Sequence, residues 1–161
     1  MPATRLLGLT VLGLGDGVSL LQMPIRPEIT FEGRTVQGGI VATLGDYAAV
    51  SAVTAALPAG WAASTTGIEA HNLDPARGAR LLAVGRSCRA GKGLSLGEAR
   101  VYVIDREDGS REDGNRNDGD GNDVPPGTEA ALARLAAAEA GDGGRLVAVM
   151  MATCRAFELP R

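Results

Sequence analysis

The longest apolar stretch of the sequence, TVQGGIVATLGDYAAVSAVTAAL at residues 35–57, constrains the fold more than any other segment. Alanine, valine and leucine dominate it, and Pro58 and Gly60 follow it, so we expect one helix from about Gly38 to Leu57. A helix that is apolar on nearly every side is a buried helix. The rest of the chain is therefore expected to cover this helix.

This helix is long enough to raise the question of a membrane span. Asp46 lies near its centre, and a carboxylate there costs about 2.5–3.5 kcal/mol on insertion scales. The segment RLLGLTVLGL near the N-terminus resembles the core of a signal peptide, but GDG follows it instead of a small-residue cleavage site. We therefore predict a core helix, a strand at the N-terminus and no membrane partner.

Extended segments account for most of the remaining chain. The run RLLGLTVLGLGDGVSLLQMPI is interrupted by a turn at residues 15–17, and residues 28–36 are expected to be an irregular connection. Ala99, Val101 and Val103 alternate with Arg100 and Tyr102, as in a strand with two different faces. Further strands are predicted at 61–73, 80–90, 94–105 and 145–158. Short turns between them favour an antiparallel meander, so the predicted fold class is α+β.

One segment departs from this pattern, at about residues 109–143. It begins GSREDGNRNDGDGNDVPPG, which has too few apolar residues to form a core of its own. TEAALARLAAAEA follows, and Thr128 would cap a short helix there. We interpret the segment as an insertion at a hairpin tip, within a single domain that spans residues 1–161.

Charge and cysteine content narrow the class of partner. The formal net charge is −3, which gives no electrostatic case for a nucleic-acid partner. Cys88 and Cys154 lie far apart in the sequence and show no metal-ligand spacing. A reduced, cytoplasmic protein without a disulfide framework, metal or other cofactor is the expectation.

The helix itself carries the candidate chemistry. A buried carboxylate is costly unless it is hydrogen-bonded or lies in a functional cleft, so Asp46 is a candidate site residue. Gly38 and Gly39 stand at the helix start, where free N–H groups could polarise a carbonyl oxygen. Asp46 is eight residues beyond Gly38, or about 12 Å along the helix, so a second surface is needed to complete one site.

The segment TVQGGIVATLGDYAA resembles the helix start of hotdog-fold acyl-CoA thioesterases of the phenylacetate-pathway (PaaI-like) group. That family has a His-Gly-Gly start and an acid eight residues after the first glycine. IEAHNLDPARGARLLAVGRSCRAGKGLSLGEARVYVID resembles the family's central strands, and RLVAVMMATCRAF resembles its last strand. The resemblance covers the whole chain except the insertion, and it implies a hotdog fold in which an antiparallel sheet wraps around one long helix.

The resemblance also implies site residues. Asp46 matches the catalytic carboxylate, Gly38 and Gly39 match the backbone donors, and Ser64 matches a hydroxyl that helps to position water. Gln37 stands where the family has histidine. Coenzyme A is expected near Arg77, Arg89, Lys92 and Gly93. The family builds its site between two subunits of a homodimer, often paired into a homotetramer.

Phe31 is a departure, because many members have Asn or Gln at this position, seven residues before Gly38. The predicted function is hydrolysis of an acyl-CoA thioester to a free acid and coenzyme A. Phe31 keeps open the alternative of a non-catalytic acyl-CoA-binding module. A hydratase or dehydratase is a third possibility, but His71 does not form the Asp/His pair that this chemistry needs.

Overall fold

The computed structural model describes residues 2–105 and 144–160 of the chain. These residues form two α-helices, one 3₁₀ turn and eight strands, and the second helix comes before the last four strands. In chain order the elements are α1 (Pro2–Leu7), β1 (Thr10–Gly15), β2 (Val18–Pro24), the 3₁₀ turn (Pro27–Ile29), β3 (Thr30–Phe31), β4 (Thr35–Val36), α2 (Gly38–Ala56), β5 (Trp61–Asn72), β6 (Arg80–Arg89), β7 (Leu94–Ile104) and β8 (Arg145–Glu158).

The six long strands form one antiparallel sheet in the order β1-β2-β6-β7-β8-β5, and β3 pairs with β4 in a small separate hairpin. The predicted bounds of α2 and of the last four strands agree with the structure to within one residue. The meander prediction holds for β6, β7 and β8 but is wrong for β5. Although only a short loop joins β5 to β6, β5 pairs with β8 at the far edge of the sheet.

The N-terminal region differs in part from the predicted strand. Pro2–Leu7 forms a helix, and β1 begins only at Thr10. The predicted turn between β1 and β2 is present: Asp16 and Gly17 both have positive φ values, 49° and 74°. Two successive positive φ values are typical of a type I′ hairpin turn, which matches the twist of the flanking strands.

Helix α2 packs across the concave face of the sheet, and glycines let it come close. A methyl group at Gly85 of β6 would overlap the backbone carbonyl of Ala48, and one at Gly97 of β7 would lie 2.7 Å from the carbonyl oxygen of Ala49. Ser19 of β2 is fully buried and donates a hydrogen bond from Oγ to the Ala48 carbonyl oxygen at 2.7 Å. These contacts fix both the distance between helix and sheet and the rotation of the helix.

The period-two alternation along β7 buries the predicted apolar residues on one face of the strand. Ala99, Val101 and Val103 are buried against the core that α2 shares with the sheet. On the other face Arg100 is exposed, but Tyr102 is buried in a second apolar cluster with Leu20, Leu82 and Val84. The sheet therefore has apolar side chains on both faces.

Among the described residues, α2 is the one helix long and apolar enough to cross a membrane. It contacts β1, β2, β5, β6, β7 and β8, so it is the core helix of the fold. The predicted insertion at 109–143 lies outside the described residues.

Candidate active site

Asp46 lies on a half-exposed strip of α2, between the buried face and solvent. Leu44, Gly45 and Ala48 around it are buried against the sheet, whereas Asp46 and Tyr47 are partly accessible. Thr65 of β5 donates a hydrogen bond from Oγ1 to Asp46 Oδ1 at 2.8 Å. This bond resolves the question of a carboxylate within an apolar helix: Asp46 has both a polar partner and access to solvent.

A buried cysteine lies beside Asp46 on the sheet. Cys154 of β8 is the register partner of Thr65 and is fully buried. Burial raises the pKa of the Cys154 thiol, and the negative charge of Asp46 raises it further. The thiol therefore stays protonated at neutral pH and serves as a small apolar side chain beside the carboxylate.

The start of α2 presents free backbone donors. Gln37 is the N-cap residue, with extended φ and ψ values, and its side chain makes no capping hydrogen bond. The Gln37 carbonyl oxygen accepts hydrogen bonds from the N–H groups of Ile40 and Val41, at 2.9 and 3.1 Å. The N–H groups of Gly38 and Gly39 precede these and belong to the first helical turn, whose donors have no acceptor within the helix. Both glycines are exposed.

A groove of about 360 Å³ adjoins this helix start. Its walls come from β4, from the first turns of α2 and from the loop after β5. Its lining residues are Thr35, Val36, Gly38, Val41, Asn72, Leu73, Asp74, Pro75 and Ala76. Arg145 of β8 ties this loop to the sheet: it forms an ion pair with Asp74 and donates a hydrogen bond to the Pro75 carbonyl oxygen at 3.1 Å.

The two parts of the candidate site are separated within one protomer. Asp46 bonds to Thr65 near the beginning of β5, whereas Gly38 lies against Asn72 at the end of β5. The helical rise alone puts about 12 Å between the two positions. One thioester carbon cannot be within reach of both, so the structure leaves the same need for a second surface that the sequence indicated.

Ser64 and Thr65 are adjacent hydroxyl residues, and only Thr65 faces the helix. Ser64 is exposed, and its register partner Arg155 on β8 is exposed as well, whereas the partner of Thr65 is the buried Cys154. Side chains alternate between the two faces of a strand. Within one protomer Ser64 thus lies on the convex face, away from Asp46. Thr65 was missed because its place depends on the register of β5, which the family spacing did not reveal.

The predicted coenzyme A residues lie in two separate places. Arg77 is near the groove and donates from Nε to Thr35 Oγ1 at 2.8 Å. Arg89, Lys92 and Gly93 lie at the other end of β6, and about 30 Å of strand separates the two ends. There the Lys92 ammonium lies 4.7 Å from the centre of the Trp61 ring, a cation–π contact. A single protomer does not bring these basic residues together.

Phe31 lies on the β3–β4 hairpin and is 64% exposed, so its ring packs little against its own protomer. Glu32 and Gly33 follow it with positive φ values of 53° and 70°, which form the hairpin turn. Among the described residues, no group of three His, Cys, Asp or Glu side chains is placed to hold a metal ion.

No protein family and no curated protein matches the chain by sequence. Solved structures do match by shape. A thioesterase family protein from Silicibacter pomeroyi has a TM-score of 0.72 at 21% identity, over 98% of this chain and 90% of that one. The PaaI protein of the Escherichia coli phenylacetic acid degradation operon has a TM-score of 0.65 at 13% identity, over 99% and 86%.

A third similar structure is the BH2602 protein from Bacillus halodurans with CoA, which has a TM-score of 0.58 at 24% identity, over 85% of this chain and 70% of that one. At these identities the matches concern the fold. They confirm the predicted α+β hotdog architecture, with one long helix against a six-stranded antiparallel sheet, a fold that the PaaI protein shares.

Proposed function

We propose that the protein hydrolyses an acyl-CoA thioester to a carboxylic acid and coenzyme A. The observation that carries the proposal is the hydrogen bond from Thr65 to Asp46, which holds a half-exposed carboxylate on the helix whose start offers two free backbone donors. The similar structures support it, because they include a thioesterase family protein and a protein with bound CoA.

The chemistry needs a group that delivers oxygen to the thioester carbon and donors that stabilise the resulting oxyanion. Asp46 supplies the first function and the N–H groups of Gly38 and Gly39 supply the second. In a general-base route, Asp46 removes a proton from water, hydroxide attacks the carbon, and the C–S bond breaks as the proton passes to the departing thiolate. In a nucleophilic route, Asp46 attacks the carbon directly, and the C–S bond breaks as coenzyme A leaves as a thiolate that takes a proton from water. Water then hydrolyses the resulting anhydride to the free acid and restores the Asp46 carboxylate. Both routes use the same residues.

A homodimer would bring the two parts of the site together. β5 is an edge strand of 12 residues, and Ile68, Ala70 and Asn72 lie on its helix-facing side without being buried by their own α2. An open edge of this length is a template for a second strand. If two copies pair β5 with β5 about a two-fold axis, their α2 helices run in opposite directions, and the start of one helix approaches the middle of the other.

The same dimer would bring basic residues of both protomers to one bound coenzyme A. Arg77 of one protomer and Arg89 and Lys92 of its partner would then flank one cleft, where their side chains can meet the phosphates of coenzyme A. Gly93 keeps the turn beside Lys92 open, because no atom lies within 4 Å of the position that a Cβ would occupy there. Gln37 would lie beside the reacting carbonyl. With two free thiols, a reducing compartment such as the cytoplasm is the proposed location.

Thiol release from short, medium, long and aromatic acyl-CoAs tests the proposal. Wild type should release coenzyme A, and Asp46→Asn should lower kcat by about 10²–10⁴-fold, since it removes the acid–base or nucleophilic group but keeps its size. Asp16→Asn is the matched control, because Asp16 lies in the β1–β2 turn and asparagine accepts its positive φ of 49°.

The outcome separates the two leading functions. Turnover that depends on Asp46 supports a thioesterase. Binding of acyl-CoA by wild type with no thiol release from any substrate would overturn it in favour of the non-catalytic binding module. Turnover that survives Asp46→Asn would remove Asp46 from the mechanism.

A further inference from the structure

Asn72 places its side chain against the start of α2. It is the last residue of β5, and its register partner Ala148 is buried on the helix-facing side of the sheet. A Cβ at Gly38 would lie only 2.7 Å from Asn72 Nδ2, closer than real Cβ contacts. The carboxamide therefore lies directly beside the Gly38 backbone.

The carboxamide is free to bind a ligand. Asn72 is exposed, and its side chain makes no hydrogen bond to any residue within 2–105 or 144–160. It lines the groove of about 360 Å³ together with Gly38. An asparagine amide offers two N–H donors and one carbonyl acceptor. Its Nδ2 group and the Gly38 backbone thus lie together in the groove, at the start of α2 where Gly39 follows.

We propose that Asn72 is a third donor to the reacting carbonyl oxygen, in addition to Gly38 and Gly39. The inference rests on the proposed function, because it assumes that a thioester carbonyl enters at the start of α2. A carbonyl oxygen only accepts hydrogen bonds, so Nδ2 is the matching end of the amide. The acceptor becomes an oxyanion during hydrolysis, and a donor aimed at developing charge stabilises the transition state more than the ground state.

Kinetics of three variants test this role. Asn72→Ala removes the donor and should lower kcat about 10²-fold, the usual effect of losing one oxyanion donor, with KM nearly unchanged. Asn72→Asp keeps the size but places an acceptor and a negative charge at the oxyanion, so its loss should be larger. His71→Ala is the matched control. His71 directly precedes Asn72 on β5, and its register partner is Val149, so its side chain lies on the other face of the strand. There it bonds to Glu69 Oε1 at 3.0 Å.

A binding comparison keeps the inference testable if turnover is absent. One ligand is an acyl-CoA ketone analogue, in which CH₂ replaces the thioester sulfur and the carbonyl remains. The other is an S-alkyl-CoA thioether of equal chain length, which lacks the carbonyl. Wild type should bind the ketone more tightly, and Asn72→Ala should lose about tenfold in affinity for the ketone alone, in the range expected for one hydrogen bond.

The two proposals fail in different ways. If wild type hydrolyses no thioester but Asn72→Ala still weakens only the ketone, the proposed function is wrong and the donor role of Asn72 stands. If wild type hydrolyses thioesters and Asn72→Ala changes neither kcat nor the preference for the ketone, Asn72 is not a donor. A wild type with no preference for the ketone, or an equal loss of both ligands in Asn72→Ala, also overturns the role. Circular dichroism melts of each variant confirm that it is folded.

Discussion

Thr65 and Ser64 differ by one position on β5, and this difference decides which hydroxyl reaches the carboxylate. Thr65 Oγ1 lies 2.8 Å from Asp46 Oδ1, whereas Ser64 lies on the other face of the strand. The Thr65 hydroxyl holds one carboxylate oxygen in place, so in the proposed mechanism we expect it to orient Asp46.

We expect Thr65→Val to lower kcat/KM by about tenfold, because it keeps the shape of the side chain and removes one hydrogen bond to a charged group. Ser64→Ala provides the comparison, and steady-state kinetics with the best substrate of the panel measures both. A larger loss in Ser64→Ala than in Thr65→Val would return the positioning role to Ser64.

The two cysteines should react differently with alkylating reagents. Burial raises the pKa of both thiols, but Cys88 is exposed and Cys154 is fully buried beside Asp46. A raised pKa means that less thiolate is present at neutral pH, so labelling of Cys88 should increase as pH rises toward and past 9. Iodoacetamide followed by peptide mass spectrometry should find Cys88 modified in the native protein and Cys154 only after unfolding. Native labelling of Cys154 would contradict the packing described for the site.

At the scale of the elements, the position of α2 depends on glycines in the strands beneath it. A methyl at Gly85 would meet the Ala48 backbone, which cannot move without displacing the helix that carries Asp46. Overpacking of a core typically costs 1–3 kcal/mol, and more where the obstacle is backbone.

We therefore expect Gly85→Ala to lower the free energy of unfolding by about 3 kcal/mol in urea titration. Gly15→Ala in β1 is the control, because no atom lies within 4 Å of its added Cβ and its φ is not positive. A loss of similar size in both variants would show that the cost does not come from contact with α2, because the effect of Gly→Ala on the unfolded chain alone favours folding.

At the scale of the whole molecule, the separation of Asp46 from the helix start predicts that a partner protomer completes the proposed site. If one site takes Asp46 from one protomer and Gly39 from its partner, two different inactive variants can complement each other. Asp46→Asn removes the acid, and Gly39→Leu fills the approach to the donors, where an added Cβ meets no atom of its own protomer within 4 Å.

Mixing the two inactive variants after subunit exchange should restore about a quarter of the sites, since half of the dimers are mixed and each mixed dimer has one intact site. Light scattering on the same samples reports the oligomeric state. Mixtures that remain inactive although the subunits have exchanged would place the whole site within one protomer.

The sequence alone determined most of the local structure of this protein, although not the N-terminal helix at Pro2–Leu7. Runs of alanine, valine and leucine between Pro and Gly stops define α2, and period-two alternation defines the strands, because both signals arise from neighbouring residues. The positions of Asp46, Gly38 and Gly39 on the helix follow from the same local information.

Only the tertiary structure decided what depends on pairing between distant segments. A one-residue shift of register reverses the faces of a strand, so spacing could not choose between Ser64 and Thr65. Strand order is not a local property either, and the far-edge position of β5 brings Asn72 to the helix start and opens a long edge for a partner. Local chemistry specifies which side chains are present, whereas the packing of distant strands determines which of them can meet.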